Sequence, residues 1–441
     1  MASGNDRFGR PVFRPMPTAT RFVMLLIIAS AVMSIRPPEA AAGMLQVCPS
    51  GCPYTSIQSA INAAQTGDRI IIAAGTYTEN LLMFAPLAAK TLTLMGRGAA
   101  RTIVNGNLQD CVLQIDTGYT VTVRDMTLTN GDCDAAGGVV NHGTMTLTNV
   151  SLSHNVGEQT GGGISNDVDS TLTLISSTVS DNTTKDPGSG QGGGIFNLGT
   201  VSLTRTTVSG NSAPAIGGGI ENRGRIRIID SRISDNSTQG VGGGIESHDS
   251  GAGTATVTLS NTPIINNEAF TGGGIYNNSV LTITGSPIHD NTAGEGGGLE
   301  NSFLGVATLT NSPVSRNTAT TDGGGVANDR GKLTMTNCPV DNNAAVSSQG
   351  AKGGGVAVFG GTVELKGSPV TRNGASGPIG GLGGGIVITD AAVLTLRNSP
   401  VDTNSASTAG GGIYSFSGIV NLQNSPVRRN QPNNCVNVPG C

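Results

Sequence analysis

The sequence predicts an all-β solenoid, on three features that recur together. A glycine triplet followed by an aliphatic residue and, two positions on, by Asn occupies residues 161–166, 192–197, 217–222, 272–277, 296–301 and 323–328. Looser copies stand near Gly137, Gly242, Gly353, Gly383 and Gly410, and the last glycines of successive copies are 24 to 31 residues apart. An alternating stretch follows each triplet, as in Thr171-Leu172-Thr173-Leu174 or Leu281-Thr282-Ile283-Thr284, and then an aliphatic-x-x-Asn unit such as Val179 to Asn182 or Ile233 to Asn236. Alternation in Thr, Val and Ile marks a half-buried strand, and no window of the repeats sustains helical spacing. A unit of this period cannot bury its own apolar face alone, so copies must stack. Three short strands per repeat predict a triangular coil.

Residues 1–42 stand outside that pattern. Arg7, Arg10, Arg14 and Arg21 precede an apolar stretch over 22–35, which leads to Ala40-Ala41-Ala42. The stretch is short for a bilayer, and the small residues match a cleavage site, so a secretory signal peptide cut near Ala42 is expected, with an uncleaved anchor as the alternative. No other transmembrane segment is expected in the mature chain. Cysteine usage agrees with export. Cys48 and Cys52 flank a turn, Cys111 and Cys133 lie about one coil apart, and Cys435 and Cys441 bracket the last residues, which suggests three local disulfides. Cys338 is left over, where other coils carry Ser286, Ser312 or Ser399. A metal site on Cys48 and Cys52 lacks the second pair and the His that zinc needs, so no metal is expected there.

Residues 43–110 read as an N-terminal cap and first coils. Ile57, Ile61 and Ala64 have helical spacing, Gly67-Asp68 ends the helix, and Ile70 to Ala74 reads as a strand. An open solenoid end exposes core and strand edges, so an amphipathic helix there is a cap. Residues 111–430 hold the repeats. Their aliphatic positions, among them Leu174, Leu203, Ile228, Leu259, Ile283 and Leu422, form ladders that fill the interior. Two Asn ladders are expected at corners in left-handed backbone, and the glycines at the bend. From Pro263 to Pro426 a Pro precedes the third strand of each coil, a position that needs no ladder N–H. About 13 coils at the spacing of stacked strands make a rod roughly 60 Å long. Residues 431–441 form an end segment.

Composition limits the function. The chain is 12% charged and 3% aromatic, with 67 Gly and no Trp, as a turn-dense solenoid requires. The five basic and two acidic residues before Gly43 leave 20 Lys and Arg against 27 Asp and Glu, a formal charge of −7. An acidic rod has no electrostatic reason to bind nucleic acid.

At Tyr54-Thr55-Ser56-Ile57-Gln58-Ser59-Ala60-Ile61, followed by Gly67-Asp68 and Gly75-Thr76-Tyr77-Thr78-Glu79-Asn80, the chain resembles the entry segment of the right-handed parallel β-helix, or pectin-lyase-like, superfamily. Its repeats resemble those of bacterial polymorphic outer-membrane-type surface proteins, here with Gly-Gly-Gly-Ile and Val-x-x-Asn units and without the Phe of that type or its barrel. The resemblance implies a single right-handed parallel β-helix over everything after residue 44. It does not settle function, because such folds host lyases, hydrolases, epimerases, adhesins and structural rods. Polygalacturonase-like signatures are absent, and Asn141-His142-Gly143 is the nearest approach to one.

One constellation carries chemistry. The residue between the buried aliphatic and the Asn is expected to face outward, and in successive coils it reads Ser165, Phe196, Glu221, Glu246, Tyr276, Glu300, Ala327, Ala357, Val387 and Tyr414. Glu221 and Glu246 would stack one coil apart, close enough to raise one pKa. Arg223, Arg225 and Arg227 follow the first and His248 the second. Carboxylates about 5 Å apart suit a retaining glycosidase, and paired acids with Arg would hold Ca²⁺ against an acidic polysaccharide for β-elimination. Phe196 and Tyr276 would stack on sugar rings. Candidate binding residues are therefore Phe196, Glu221, Arg225, Glu246, His248, Tyr276 and Glu300. An exposed strand face also collects charges for solubility alone. The favoured expectation is a secreted or cell-surface, non-catalytic β-helix with an elongated face for polysaccharide or cell-envelope binding. The alternative is a polysaccharide lyase or glycosidase using Glu221 and Glu246. The longer coils place their extra residues mostly after the second Asn, as over 183–191, 344–352 and 374–382, and such insertions mark a solenoid's working face.

Overall fold

The computed structural model describes residues 42–84, 90–249 and 255–441, so all but the last residue of the expected signal peptide lies outside them. Ala42–Cys441 forms one compact unit, a right-handed parallel β-helix. A 14-stranded parallel sheet running from Leu81–Met83 to Cys435–Val436 takes one strand from each coil. That gives 14 coils, in line with the expected number of about 13: eleven carry a copy of the glycine motif, and the strands Leu81–Met83, Leu113–Ile115 and Cys435–Val436 belong to coils that do not. Register follows the repeats: Ile164 pairs with Ile195 and Asn166 with Asn197, while Leu172 pairs with Val201 and Leu174 with Leu203.

Each regular coil holds four strand segments, one more than alternation predicted. A 27-stranded sheet contains both the alternating strand and the short aliphatic strand, as in Thr171–Ile175 and Thr178–Ser180. Between them the chain turns at one residue in left-handed backbone, such as Ser176 (φ 51°) or Asp230 (φ 49°). The fourth segment is short and uneven, with two residues in Thr183–Thr184 and Ser212–Ala213 and up to five in Thr318–Asp322, and it shows no common period. The aliphatic ladders fill one continuous core, with Leu174, Leu203, Ile228, Leu259 and Ile283 all at 0% exposure; Leu422, in the last full coil, is only partly covered.

The Asn ladders are inside the turns, not on left-handed residues. Asn182, Asn236 and Asn317 are buried, and the positive φ falls one residue earlier, on Asp181, Asp235 and Arg316. Each buried Asn locks neighbouring coils together. Asn236 Nδ2 donates to Asn267 Oδ1 (3.0 Å) and to the Val208 carbonyl (3.1 Å), while its Oδ1 accepts from Asn211 N and Nδ2. A second ladder runs through Asn141, Asn166, Asn197 and Asn222, breaks at Ser247 and resumes at Asn277. A third uses hydroxyls: Ser312 N donates to Cys338 Sγ (3.3 Å) and Cys338 N to Ser368 Oγ (3.0 Å), so the free thiol stands in for a serine.

Only the first glycine of a triplet serves the bend. Gly217 has φ +63°, whereas a Cβ on Gly219 would lie 2.6 Å from the Gly244 carbonyl and 2.9 Å from Asn236 Cγ. The second and third glycines are required by the closeness of the next coil.

The cap forms where expected, as helix Ile57–Ala63, with Ile57, Ala60 and Ile61 buried in the common core. Ser56 caps its N-terminus, and Glu79, just past the strand Gly75–Thr78, reaches over to accept from Ile57 N and Gln58 N, each at 2.9 Å. Disulfides join Cys48 to Cys52, Cys111 to Cys133 and Cys435 to Cys441. Among the described residues no helix is long and apolar enough to cross a membrane.

Candidate functional site

The strands Ile220–Asn222 and Ile245–His248 lie side by side and bring Glu221 opposite Glu246. Ile220 and Asn222 point into the coil, so Glu221 points away from it, as alternation requires. The expected exposure is not found. Glu221, Glu246, Glu300 and Phe196 are only 0%, 1%, 3% and 6% exposed. The physical reason is the triplet itself: its first glycine turns the chain back so closely that a Cβ on Gly217 would lie 2.9 Å from Glu221 Cβ, and one on Gly242 would lie 2.6 Å from Glu246 Cβ. The residues before the triplets then stack in single bridges, Gln191 to Ile216 to Val241 to Thr271, beside the outward row.

Each buried carboxylate is held on one oxygen only. Arg223 Nε donates to Glu221 Oε1 at 2.7 Å, its other nitrogen donates to Gln191 Oε1 at 2.7 Å, and its guanidinium lies 5.4 Å from the centre of the Phe196 ring. His248 Nδ1 is 2.7 Å from Glu246 Oε1. The Oε2 atoms of Glu221 and Glu246 find no protein donor. Burial, and then the neighbouring Glu246, push Glu221 up to about 7 against the pull of Arg223. Burial raises Glu246, opposed by the hydrogen bond from His248, and that same bond raises His248. Glu221, Glu246 and His248 each offer one ligand atom within 4.8 Å of the others. Arg225 does not join them: it is exposed at the start of Arg225–Ile229 in the long sheet.

A second acidic group lies two coils on. Glu300 pairs with Tyr276 across the strands, and Tyr276 Oη lies 3.1 Å from Ser302 Oγ. Burial, then Glu295, raises Glu300 well above the usual carboxylate range. Burial, then Asp322, pushes Glu295 up to about 7. Asp322 itself is raised by burial, although Lys352 Nζ lies 3.4 Å away. Beyond it the row turns apolar, as Ala327, Ala357 and Val387 pack with Phe359 and Tyr414. Glu295 and Asp322 carry no sequence signal, because they end strands, Thr292–Glu295 and Thr318–Asp322, whose residues before the triplet follow no fixed pattern.

The accessible concavity is on another face. The short fourth segments stack into a five-stranded sheet ending at Ser237–Thr238 and a seven-stranded one containing Thr292–Glu295. The coil between them, residues 266–271, gives only single bridges, Ser237 to Glu268 and Glu268 to Thr292. Three shallow hollows run on from one another across this break: Glu268 lines all three, Ser237 the first two and Thr292 the last two. They extend from Thr183 and Ser212, past Asn266, to Phe270, Thr320 and Thr321. Phe270 is 71% exposed. The insertions expected on this corner follow Thr184 on one side and begin beyond Ala344 on the other, so they flank the groove. Its central residues carried no sequence signal beyond those insertions.

No protein-family model matches the chain, and no curated protein matches it. Among solved structures it is similar to the mannuronan C-5 epimerase A-module of Azotobacter vinelandii, at 14% identity and a TM-score of 0.37, covering 87% of this chain and 95% of that one. It is also similar to a pectate lyase (14%, TM-score 0.30, 88% and 79% covered) and to a pectin methylesterase from Erwinia chrysanthemi (13%, TM-score 0.26, 50% and 79% covered).

Proposed function

We propose that the protein is an exported, non-catalytic rod that binds an extended polysaccharide, free or in a cell envelope, along the groove of the short-strand face. The observation that carries this reading is the continuity of that groove. It crosses six coils, roughly 25 Å at the spacing of stacked strands, and is lined by hydroxyls and amides with three carboxyl groups, Asp235, Glu268 and Glu295, and one exposed ring, Phe270. Open, polar hollows of this kind suit a polymer that is itself a string of hydroxyls, and an aromatic face suits the apolar face of a sugar. The disulfides and the basic-then-apolar leader support export.

The lyase or glycosidase reading draws support from the raised Glu221 and Glu246, since a general acid works best with a pKa near the working pH. Their burial weighs against it, because an acid or base must come within hydrogen-bond reach of the substrate. Retention of the protein on a panel of immobilised acidic and neutral polysaccharides tests the proposal. Saturable retention that falls at least fivefold in Phe270→Ala, with no product formed, supports it. Turnover abolished by Glu221→Gln or Glu246→Gln would replace it with the enzymatic reading.

A further inference from the structure

We propose that Glu221, Glu246 and His248 form a binding site for one zinc-class divalent cation, on the outer face of the 14-stranded sheet. The three side chains come from adjacent strands in fixed register, and a ligand atom from each lies within 4.8 Å of the others. A second observation points to a cation. Both carboxyls are buried, and each leaves Oε2 without a donor although its Oε1 is engaged, by Arg223 on Glu221 and by His248 on Glu246. A buried carboxylate oxygen left unsatisfied is costly, and a bound dication would remove that cost for both at once.

The ligand set selects the metal. Ca²⁺ takes six to eight oxygens, and Mg²⁺ keeps much of its water, whereas an imidazole with two carboxylates suits Zn²⁺ or a neighbouring transition ion. Zinc ligands stand about 2.0–2.2 Å from the metal, so the three groups must draw together from their present spacing. His248 has the freedom to do so, with about a quarter of its side chain exposed (25%). The fourth position falls to a water or an external ligand. Arg223, the nearest cation, bonds Oε1 of Glu221 and leaves Oε2 for the metal. It opposes the incoming charge, yet the two carboxylates outweigh it. Protons compete for the same oxygens, so binding strengthens as pH rises. The metal site is independent of the polysaccharide groove and does not need it to be correct.

The test uses the full chain, stripped with chelator and titrated at pH 8 with Zn²⁺ by calorimetry and with Co²⁺ by visible absorption. One ion per chain is expected, with Co²⁺ bands of a four-coordinate nitrogen and oxygen set. Glu246→Gln and His248→Ala are each expected to weaken binding at least tenfold, and Arg223→Gln to bind as tightly as the parent or more so. Should Glu246→Gln fail to fold, His248→Ala, at a partly exposed position, carries the test. Absence of saturable binding at one equivalent, or affinity unchanged in His248→Ala, overturns the proposal.

Discussion

Glu300 and Glu295 show what a single buried carboxyl does to this fold. Both hold their protons more tightly folded than unfolded, Glu300 through burial and Glu295 up to about 7 from an ordinary 4.5. Below 4.5 both states are protonated and nothing is lost. As pH rises toward about 7 the unfolded chain releases its proton first, so stability falls across that window. Asp402, held low by Arg429 and Arg428, acts oppositely and loses its contribution only on acidification. Thermal melts across this range should therefore show a decline in melting temperature that is shallower in the Glu295→Gln/Glu300→Gln double variant; an equal slope in both would contradict the assignment. Asn236 is the second residue-scale case. Its side chain makes four hydrogen bonds to coils on either side, and Asn236→Leu leaves buried partners unsatisfied at a cost of about 2 kcal/mol or more. Chemical denaturation measures it, and an unchanged midpoint would deny the ladder its role.

At the scale of elements, the cap and the triplets carry the argument. The helix Ile57–Ala63 has only seven residues and cannot persist alone; it is held by apolar burial and by the carboxylate of Glu79 on its first N–H groups. Glu79→Ala should cost about 1–2 kcal/mol, as loss of an N-cap does, with Glu79→Gln intermediate. Equal stability of the parent and Glu79→Ala would remove Glu79 from the cap. Gly219→Ala should do more harm than a helix-type glycine substitution, since its Cβ meets a backbone carbonyl at 2.6 Å that cannot move without displacing a coil; soluble expression with an unshifted melt would refute that. The repeats made these elements legible. Alternation located the core ladders, and the apolar spacing of Ile57 and Ile61 located the cap. The fourth segment stayed hidden because its length varies from two to five residues between coils, so no common period exists to read. The burial of Glu221 and Glu246 stayed hidden because it depends on how sharply Gly217 and Gly242 fold the chain back, a three-dimensional consequence of a glycine that alternation alone does not reveal.

For the whole molecule, stacking turns a loose sequence repeat into a rod with distinct faces. The threonine-rich long sheet is regular, the 14-stranded sheet hides an acidic row, and the short-strand face carries a groove at residues 266–271, which join the coils on either side by single bridges alone. The insertions flanking that coil were visible in the sequence; the groove between them was not, because it arises from what the intervening coils lack. The proposal that this groove holds an extended polymer ties these faces to a function. Its most direct test is the affinity of the protein for a length series of oligosaccharides drawn from whichever polysaccharide retains it. Affinity is expected to rise with oligomer length, to level off once the groove is spanned, and to drop at least fivefold at every length in Phe270→Ala. Affinity independent of length, or unaffected by Phe270→Ala, would contradict it.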